Sequence, residues 1–316
     1  MKILKTALFK DGIKEVKNSY KRFISLLLIV FLGVGFFAGI KATSPDMRKT
    51  IDNHFDDLEV MDVQVISTLG LTDEDVSAIQ QVENVEKAEG AYQADAIVTI
   101  DEEEIVVRVE TITESLNHLN LVEGRMPENE KECVVEPRFL GGTGHSIGDT
   151  ITIEIEDITN DDGENEKVLK EEEVTIVGTV KSPLYIYTDR GSTTLGSGMI
   201  DYYLYVPKEN LNASIYTNIY LTVADARNFE TNSDAYLEKI ETVEDSLDAI
   251  SEERREARYN QLYDSANSKI EEAQKELNDE REKAEKELED AQKEIDDGKA
   301  QIEAGKAEIA NNRANA

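Results

Sequence analysis

The chain has 316 residues, with 67 acidic against 34 basic side chains and a formal net charge of −33. That balance excludes a nucleic-acid binder, which needs a basic surface against phosphates, and the absence of tryptophan leaves no evident aromatic stacking platform. The length predicts about two domains, and the single cysteine, Cys133, leaves any exported domain without an intrachain disulfide.

Residues 1–22 carry seven Lys and Arg against Asp11 and Glu15, a net +5 that leaves −38 for residues 23–316. Ile3, Leu4, Ala7 and Leu8 fall at helical spacing among lysines. Either this segment is an amphipathic helix on the cytoplasmic membrane surface, or its lysines act only as an orientation signal. Residues 23–40, FISLLLIVFLGVGFFAGI, hold no charge. Such a run crosses the hydrocarbon layer as a helix, because lipid offers backbone polar groups no outside partner. Phe23, Leu27, Phe31, Gly35 and Ile40 mark the anchor, and Gly33, Gly35, Ala38 and Gly39 would let another helix approach closely. The charge asymmetry places the N-terminus in the cytoplasm and the bulk outside the cell membrane. The rival is a cleaved signal peptide; its apolar core would be shorter, roughly 7–15 residues, and Ala42-Thr43-Ser44 makes a poor cleavage site.

An extracellular domain is expected over residues 44–232. Residues 44–58 read as a helical approach. Val60–Ile66 alternates, with Met61, Val63 and Val65 on one face, and so predicts a half-buried strand. Thr72 and Asp75 have the spacing of a capping box, with Leu71 and Val76 at the staple positions. The helix they open is expected to run to about Val82, to end at Asn84, and to lead into one strand reaching Ile100. A polar turn is expected at 101–103, then a strand from Glu104 to Ile112 with Ile105, Val107 and Val109 on one face. Cys133 reads as a buried strand thiol. Ile151, Ile153 and Ile155 alternate, Val174–Val180 returns, and the acidic stretch Asp157–Glu166 links the two as a long loop. That stretch fails as an EF-hand: with Gly163 at the sixth position, Ile158 and Leu169 would take the first and twelfth. Residues 190–199, rich in Gly, Ser and Thr, read as a mobile loop. Around it stand Tyr185, Tyr187, Tyr202, Tyr203 and Tyr205, which serve strand-face packing or a contact surface. Ile215 to Val223 forms one more alternating strand.

Leu71-Thr72-x-x-Asp75, Glu123-Gly124-Arg125-Met126-Pro127, Ile147-Gly148-Asp149-Thr150-Ile151, Thr175-Ile176-Val177-Gly178-Thr179-Val180 and Leu204-Tyr205-Val206-Pro207 follow in that order. This succession resembles the MacB-like extracytoplasmic core domain of FtsX-like ABC transporter permeases. The anchor and the following Lys41-Ala42-Thr43-Ser44-Pro45-Asp46 resemble the first membrane helix of their large Gram-positive members. The implied fold class is α+β: one N-terminal transmembrane helix, a mixed α/β extracytoplasmic domain, and a long C-terminal coiled-coil helix.

That last element, residues 233–316, contains no proline and is dominated by Glu, Lys, Ala, Gln and Asp. Ile270, Leu277, Ala284, Ala291, Gly298 and Gly305 occupy one heptad position, and Leu288, Ile295, Ile302 and Ile309 the other. Residues 260–310 would reach roughly 75 Å as a helix. The seam is thin, with Gln274 and Arg281 in it, so the helix needs a partner. The resemblance implies an inserted coiled-coil hairpin, of which one arm is expected within the chain.

No phosphate-binding loop, His-Glu-x-x-His or Gly-x-Ser-x-Gly occurs, and His54, His118 and His145 are scattered. No enzymatic activity, cofactor or metal is expected. The resemblance implies the N-terminal part of a permease subunit, coupling a cytoplasmic ATPase in trans to export or to mechanical signalling at the surface. Its expected partners are that ATPase, the remaining permease helices or second coiled-coil arm, and an extracellular protein or peptide substrate. By itself the chain is expected neither to transport nor to stimulate an ATPase. The alternative is a free-standing, single-pass, membrane-anchored interaction or structural protein, acting through its extracellular domain and coiled coil.

Overall fold

The structure, a computed structural model, describes residues 2–100, 103–159 and 165–314. Two helices open the chain, α1 (Lys2–Asn18) and α2 (Tyr20–Asp57), separated at Ser19. The side chains of Ile3 and Leu4 lie outside the described residues. The uncharged run and the segment after it form one uninterrupted helix of 38 residues, with Pro45 inside it. Pro45 lacks the N–H that would reach the Lys41 carbonyl, yet the helix continues through it.

The first compact unit comprises Met1–Glu154, Glu171–Leu211 and Ile215–Asp248. Its strand β1 (Val63–Leu71), helix α3 (Asp73–Gln80) and strand β2 (Val85–Ala91) follow the expected strand–helix–strand order. The capping box forms: Asp75 Oδ2 accepts the Thr72 N–H at 2.8 Å. Asn84 takes a left-handed φ of +67° after the helix. The two strands do not pair with each other. Strand β12 (Tyr216–Val223) inserts between them, antiparallel to both.

The single strand expected up to Ile100 is two. It breaks at Tyr92, and β3 (Gln93–Ile100) belongs to a different sheet from β2. At the crossing, the Tyr92 N–H donates to Thr111 Oγ1 at 2.9 Å and the Tyr92 carbonyl accepts from the Thr111 N–H at 3.0 Å. The expected turn at 101–103 begins outside the described residues. Strand β4 (Glu103–Thr111) buries Val106 and Glu110 as well as Val107 and Val109. Both its faces are covered, which a pattern of one apolar face did not foretell.

The remaining elements are β5 (Asn120–Gly124), β6 (Glu132–Val135), α4 (Pro137–Thr143), β7 (Thr150–Thr152), β8 (Ile158–Thr159), β9 (Asn165–Glu166), β10 (Glu173–Lys181), β11 (Tyr202–Val206) and α5 (Asp234–Ala314). The large sheet runs β3-β4-β11-β6-β10-β5, with β7 also on β10. β11 is parallel to β4, and β10 to β6, while β11 and β6 are antiparallel. Cys133 lies on β6, fully buried, and burial pushes its thiol pKa up. Phe139, Leu116, Ile176 and Leu204 are among the largest fully buried side chains. In the 190–199 segment, Ser192 bridges to Met199.

A second unit comprises Ile155–Lys170, Asn212–Ser214 and Ala249–Ala316. Within it β8 and β9 pair as a hairpin, and Asn212 Nδ2 donates to the Lys167 carbonyl at 3.0 Å. Most of the acidic loop between these strands lies outside the described residues.

Candidate coupling junction

At its C-terminal end α2 lies against the segment that enters α5. Leu58 closes the helix, and Glu59 takes a left-handed φ of +50°. A short loop then satisfies the freed carbonyls: His118 N–H donates to Leu58 O and Asn117 N–H to Glu59 O, both at 2.8 Å. Asn117 Oδ1 accepts the Met61 N–H at 2.9 Å.

Carboxylates tie this end of α2 to the segment entering α5. Asp52 Oδ1 accepts both the N–H and the Oγ1–H of Thr231 at 2.7 Å. Asp62 accepts the Tyr236 hydroxyl and the Val223 N–H, each at 2.7 Å. Ser233 Oγ accepts the Tyr236 N–H at 3.3 Å, as an N-cap does. Glu59 pairs with Lys87, and with Arg227 at 3.3 Å. The end of α2 and the loop after it are therefore hydrogen-bonded to the segment that enters α5 and to its first turn.

The charges of the junction respond in opposite senses. Hydrogen bonds from Lys87 and then Arg227 hold the Glu59 carboxyl down to about 2. Burial pushes Asp62 up, against the lowering hydrogen bonds of Tyr236 and the Val223 amide. Since the folded pKa of Glu59 lies below its ordinary 4.5, its pairs stabilise above that pH, and the contribution is lost as pH falls toward 2. Unfolding by urea between about pH 5 and about pH 2.5 is expected to show a loss of stability that is smaller in Glu59→Gln. Equal losses in the two proteins would refute the assignment.

A buried polar pair stands at a cleft that α2 also lines. Glu136, just before α4, receives Arg190 Nε at 3.2 Å and Nη2 at 2.6 Å. Their side chains are 2% and 6% exposed. The Arg190 guanidinium lies over the rings of Tyr203 and Tyr185, at 5.1 and 5.6 Å from their centroids. Tyr185 and Tyr203 stack at 4.5 Å, and Tyr185 donates to the buried carboxyl of Glu110, whose pKa burial raises. Of the five tyrosines, Tyr203 and Tyr205 are buried, Tyr202 packs edge-on to Phe139 at 5.5 Å, and Tyr187 is exposed.

Among the described residues one helix, Tyr20–Asp57, is long and apolar enough to cross a membrane. Phe23, Leu27, Phe31 and Ile40 are exposed on it, and a side chain at Gly35 would meet nothing within 4 Å. On α5, Ile270, Leu277, Leu288, Ile295, Ile302 and Ile309 are 53–70% exposed, and Ala284 is exposed too. A side chain at Gly298 or Gly305 would likewise meet nothing. Sequence reading missed Asp52, Glu59, Asp62, Glu136 and Arg190 as joining residues. The one available signal was a lone charge beside an apolar run, as with Glu136 after Cys133-Val134-Val135.

The profile of the MacB-like periplasmic core domain matches residues 24–238. No curated protein matches the chain. Among solved structures, the chain is similar to the extracellular domain of the noncanonic ABC-type transporter YknZ from Gram-positive bacteria, at 13% identity and a TM-score of 0.33, covering 54% of this chain and 79% of that one. It is also similar to the periplasmic region of MacB from Actinobacillus actinomycetemcomitans, at 12% identity and a TM-score of 0.35, covering 59% and 75%. With the profile spanning well over half of its residues, the chain belongs to the MacB-like periplasmic core domain family, the extracytoplasmic domain of FtsX-like and MacB-like ABC transporter permeases.

Proposed function

We propose that the chain is the N-terminal part of a permease subunit, and that it carries the motion of a cytoplasmic ABC ATPase to the outer surface for export or mechanical signalling. The observation that carries this reading is the junction, where Asp52 holds Thr231 and Asp62 holds Tyr236. Residues 1–22 face the cytoplasm and residues 23–40 span the membrane. The same helix then continues outward without interruption, so a tilt or shift at its inner end is delivered to the junction. There the carboxylate contacts pass it to α5. The small residues Gly33, Gly35, Ala38 and Gly39 offer a close-packing face to further membrane helices. The α5 seam, from Ile270 to Ile309, offers one to a second coiled-coil arm. No residue of the chain is assigned a catalytic role; ATP hydrolysis belongs to the partner.

Labelling in intact cells tests the topology. In the Cys133→Ser background, Lys10→Cys is expected to resist a membrane-impermeant maleimide and Ser251→Cys to react. Purification of the chain from its native membranes in mild detergent tests the partnership, with an ABC ATPase expected among the co-purifying subunits. In that complex, Asp52→Ala/Asp62→Ala is expected to leave assembly intact and to reduce ATP-driven output several-fold, since two bridging contacts of about 1 kcal/mol or more each are lost. Reversed labelling, or purification without any ATPase, would overturn the reading in favour of a single-pass interaction protein.

A further inference from the structure

The outer part of α2, the start of α4 and the segment 181–190 enclose a cleft of about 400 Å³. A volume of this order suits a small ligand. Ile51 and Phe55 of α2 form one wall, and Pro137, Pro183 and Ile186 add apolar surface. Ile186 and Tyr187 are 58% and 79% exposed at its rim. Apolar side chains therefore line part of the cleft, and Ile186 and Tyr187 leave its rim open.

Its charge runs against the acidic balance of residues 23–316. Arg138, Lys181 and Arg190 line it, against one acid, Glu136. Arg190 neutralises Glu136, which leaves Arg138 and Lys181. Neither forms an ion pair among the described residues, and Arg138 makes only a long hydrogen bond, 3.4 Å, to the Thr188 carbonyl. Two unneutralised cations thus face a partly apolar cleft in a chain of net charge −33. Buried apolar contact combined with charge-assisted hydrogen bonds selects a ligand with an anionic head and an apolar body.

We propose that this cleft binds a free anionic amphiphile, a carboxylate or phosphate head on one short apolar chain or ring. Arg138 and Lys181 take the head; Ile51, Phe55 and Ile186 take the body. The ligand arrives from the aqueous phase rather than from the bilayer. Ile51 stands eleven residues beyond Ile40, about 16 Å further along the helix, which sets the cleft outside the hydrocarbon layer. This inference does not depend on the ATPase partnership, so it can fail while that reading stands.

The test is calorimetric titration of octyl phosphate into the full chain in phosphatidylcholine nanodiscs, with empty nanodiscs as the blank. Octyltrimethylammonium serves as the cationic counterpart. Saturable one-site binding of octyl phosphate is expected, weakened roughly tenfold or more in Arg138→Gln/Lys181→Gln, with no saturable binding of the cation. Both substituted side chains are exposed, and the single variant Lys181→Gln is expected to fall between the double variant and the wild type. No saturable octyl phosphate signal, equal affinity in the double variant, or equally tight binding of the cation would each overturn the proposal.

Discussion

Glu136→Gln is expected to lower the unfolding free energy by about 3–5 kcal/mol, and Arg190→Ala by a similar amount. Both side chains are almost wholly withdrawn from water. Removing one charge leaves the other buried without its counter-ion, and the lost desolvation compensation outweighs the pair's own attraction. Glu136 Oε1 also accepts the Tyr203 N–H at 3.3 Å, and Arg190 donates to the Tyr187 carbonyl, so each substitution loosens a strand and a loop together. The doubly apolar variant Glu136→Met/Arg190→Met is expected to cost clearly less than the two single losses added, because it leaves no stranded charge. Near-ultraviolet circular dichroism of the tyrosines, followed through a urea titration, reports this region in a chain that lacks tryptophan. A loss below about 1 kcal/mol in Glu136→Gln would contradict the assignment, since that is the scale of an exposed pair.

The second large effect is expected at a pair of glycines. Gly124 and Gly178 are cross-strand partners on β5 and β10. Gly124 has a φ of +79°, and a Cβ on it would lie 2.3 Å from the Val177 carbonyl oxygen. A Cβ on Gly178 would lie 2.5 Å from the Arg125 carbonyl oxygen. In both directions the obstacle is backbone, which cannot step aside as a flexible side chain would. Gly124→Ala and Gly178→Ala are each expected to cost about 2–4 kcal/mol. Gly148 supplies the control: its φ is +103°, but a Cβ there would meet nothing within 4 Å. Gly148→Ala is expected to cost only about 1 kcal/mol, from backbone strain alone. Equal midpoints for the Gly124 and Gly148 variants would show that the close approach of the strands is not limiting.

These glycines also explain why the motifs were readable. Gly124 belongs to Glu123-Gly124-Arg125 and Gly178 to the Thr175–Val180 stretch, two of the runs on which the family resemblance rests. Each motif is a local signature of a backbone demand. Their meeting across β5 and β10 is a fact of the folded sheet.

The same division runs through the molecule. Features that depend on neighbours within a few residues follow directly from the chain's residues. The uncharged run made α2 a helix fit for lipid; Thr72 and Asp75 set the start of α3; the proline-free, heptad-bearing tail made α5. The order of motifs was enough to name the family. Which elements touch follows from pairing between segments far apart in the chain. β12 entered between β1 and β2 from far along the chain, and the run from Val85 to Ile100 was divided between two sheets, because sheet pairing minimises unpaired backbone regardless of chain order. Val106 and Glu110 became as buried as the face that alternation had marked, because β4 is covered on both sides. Glu136 met Arg190 across 54 residues, and Asp62 met Tyr236 across 174. A charged or hydroxyl side chain reads the same in sequence whether it faces solvent or a distant partner, and burial against that partner is what turns it into part of a junction.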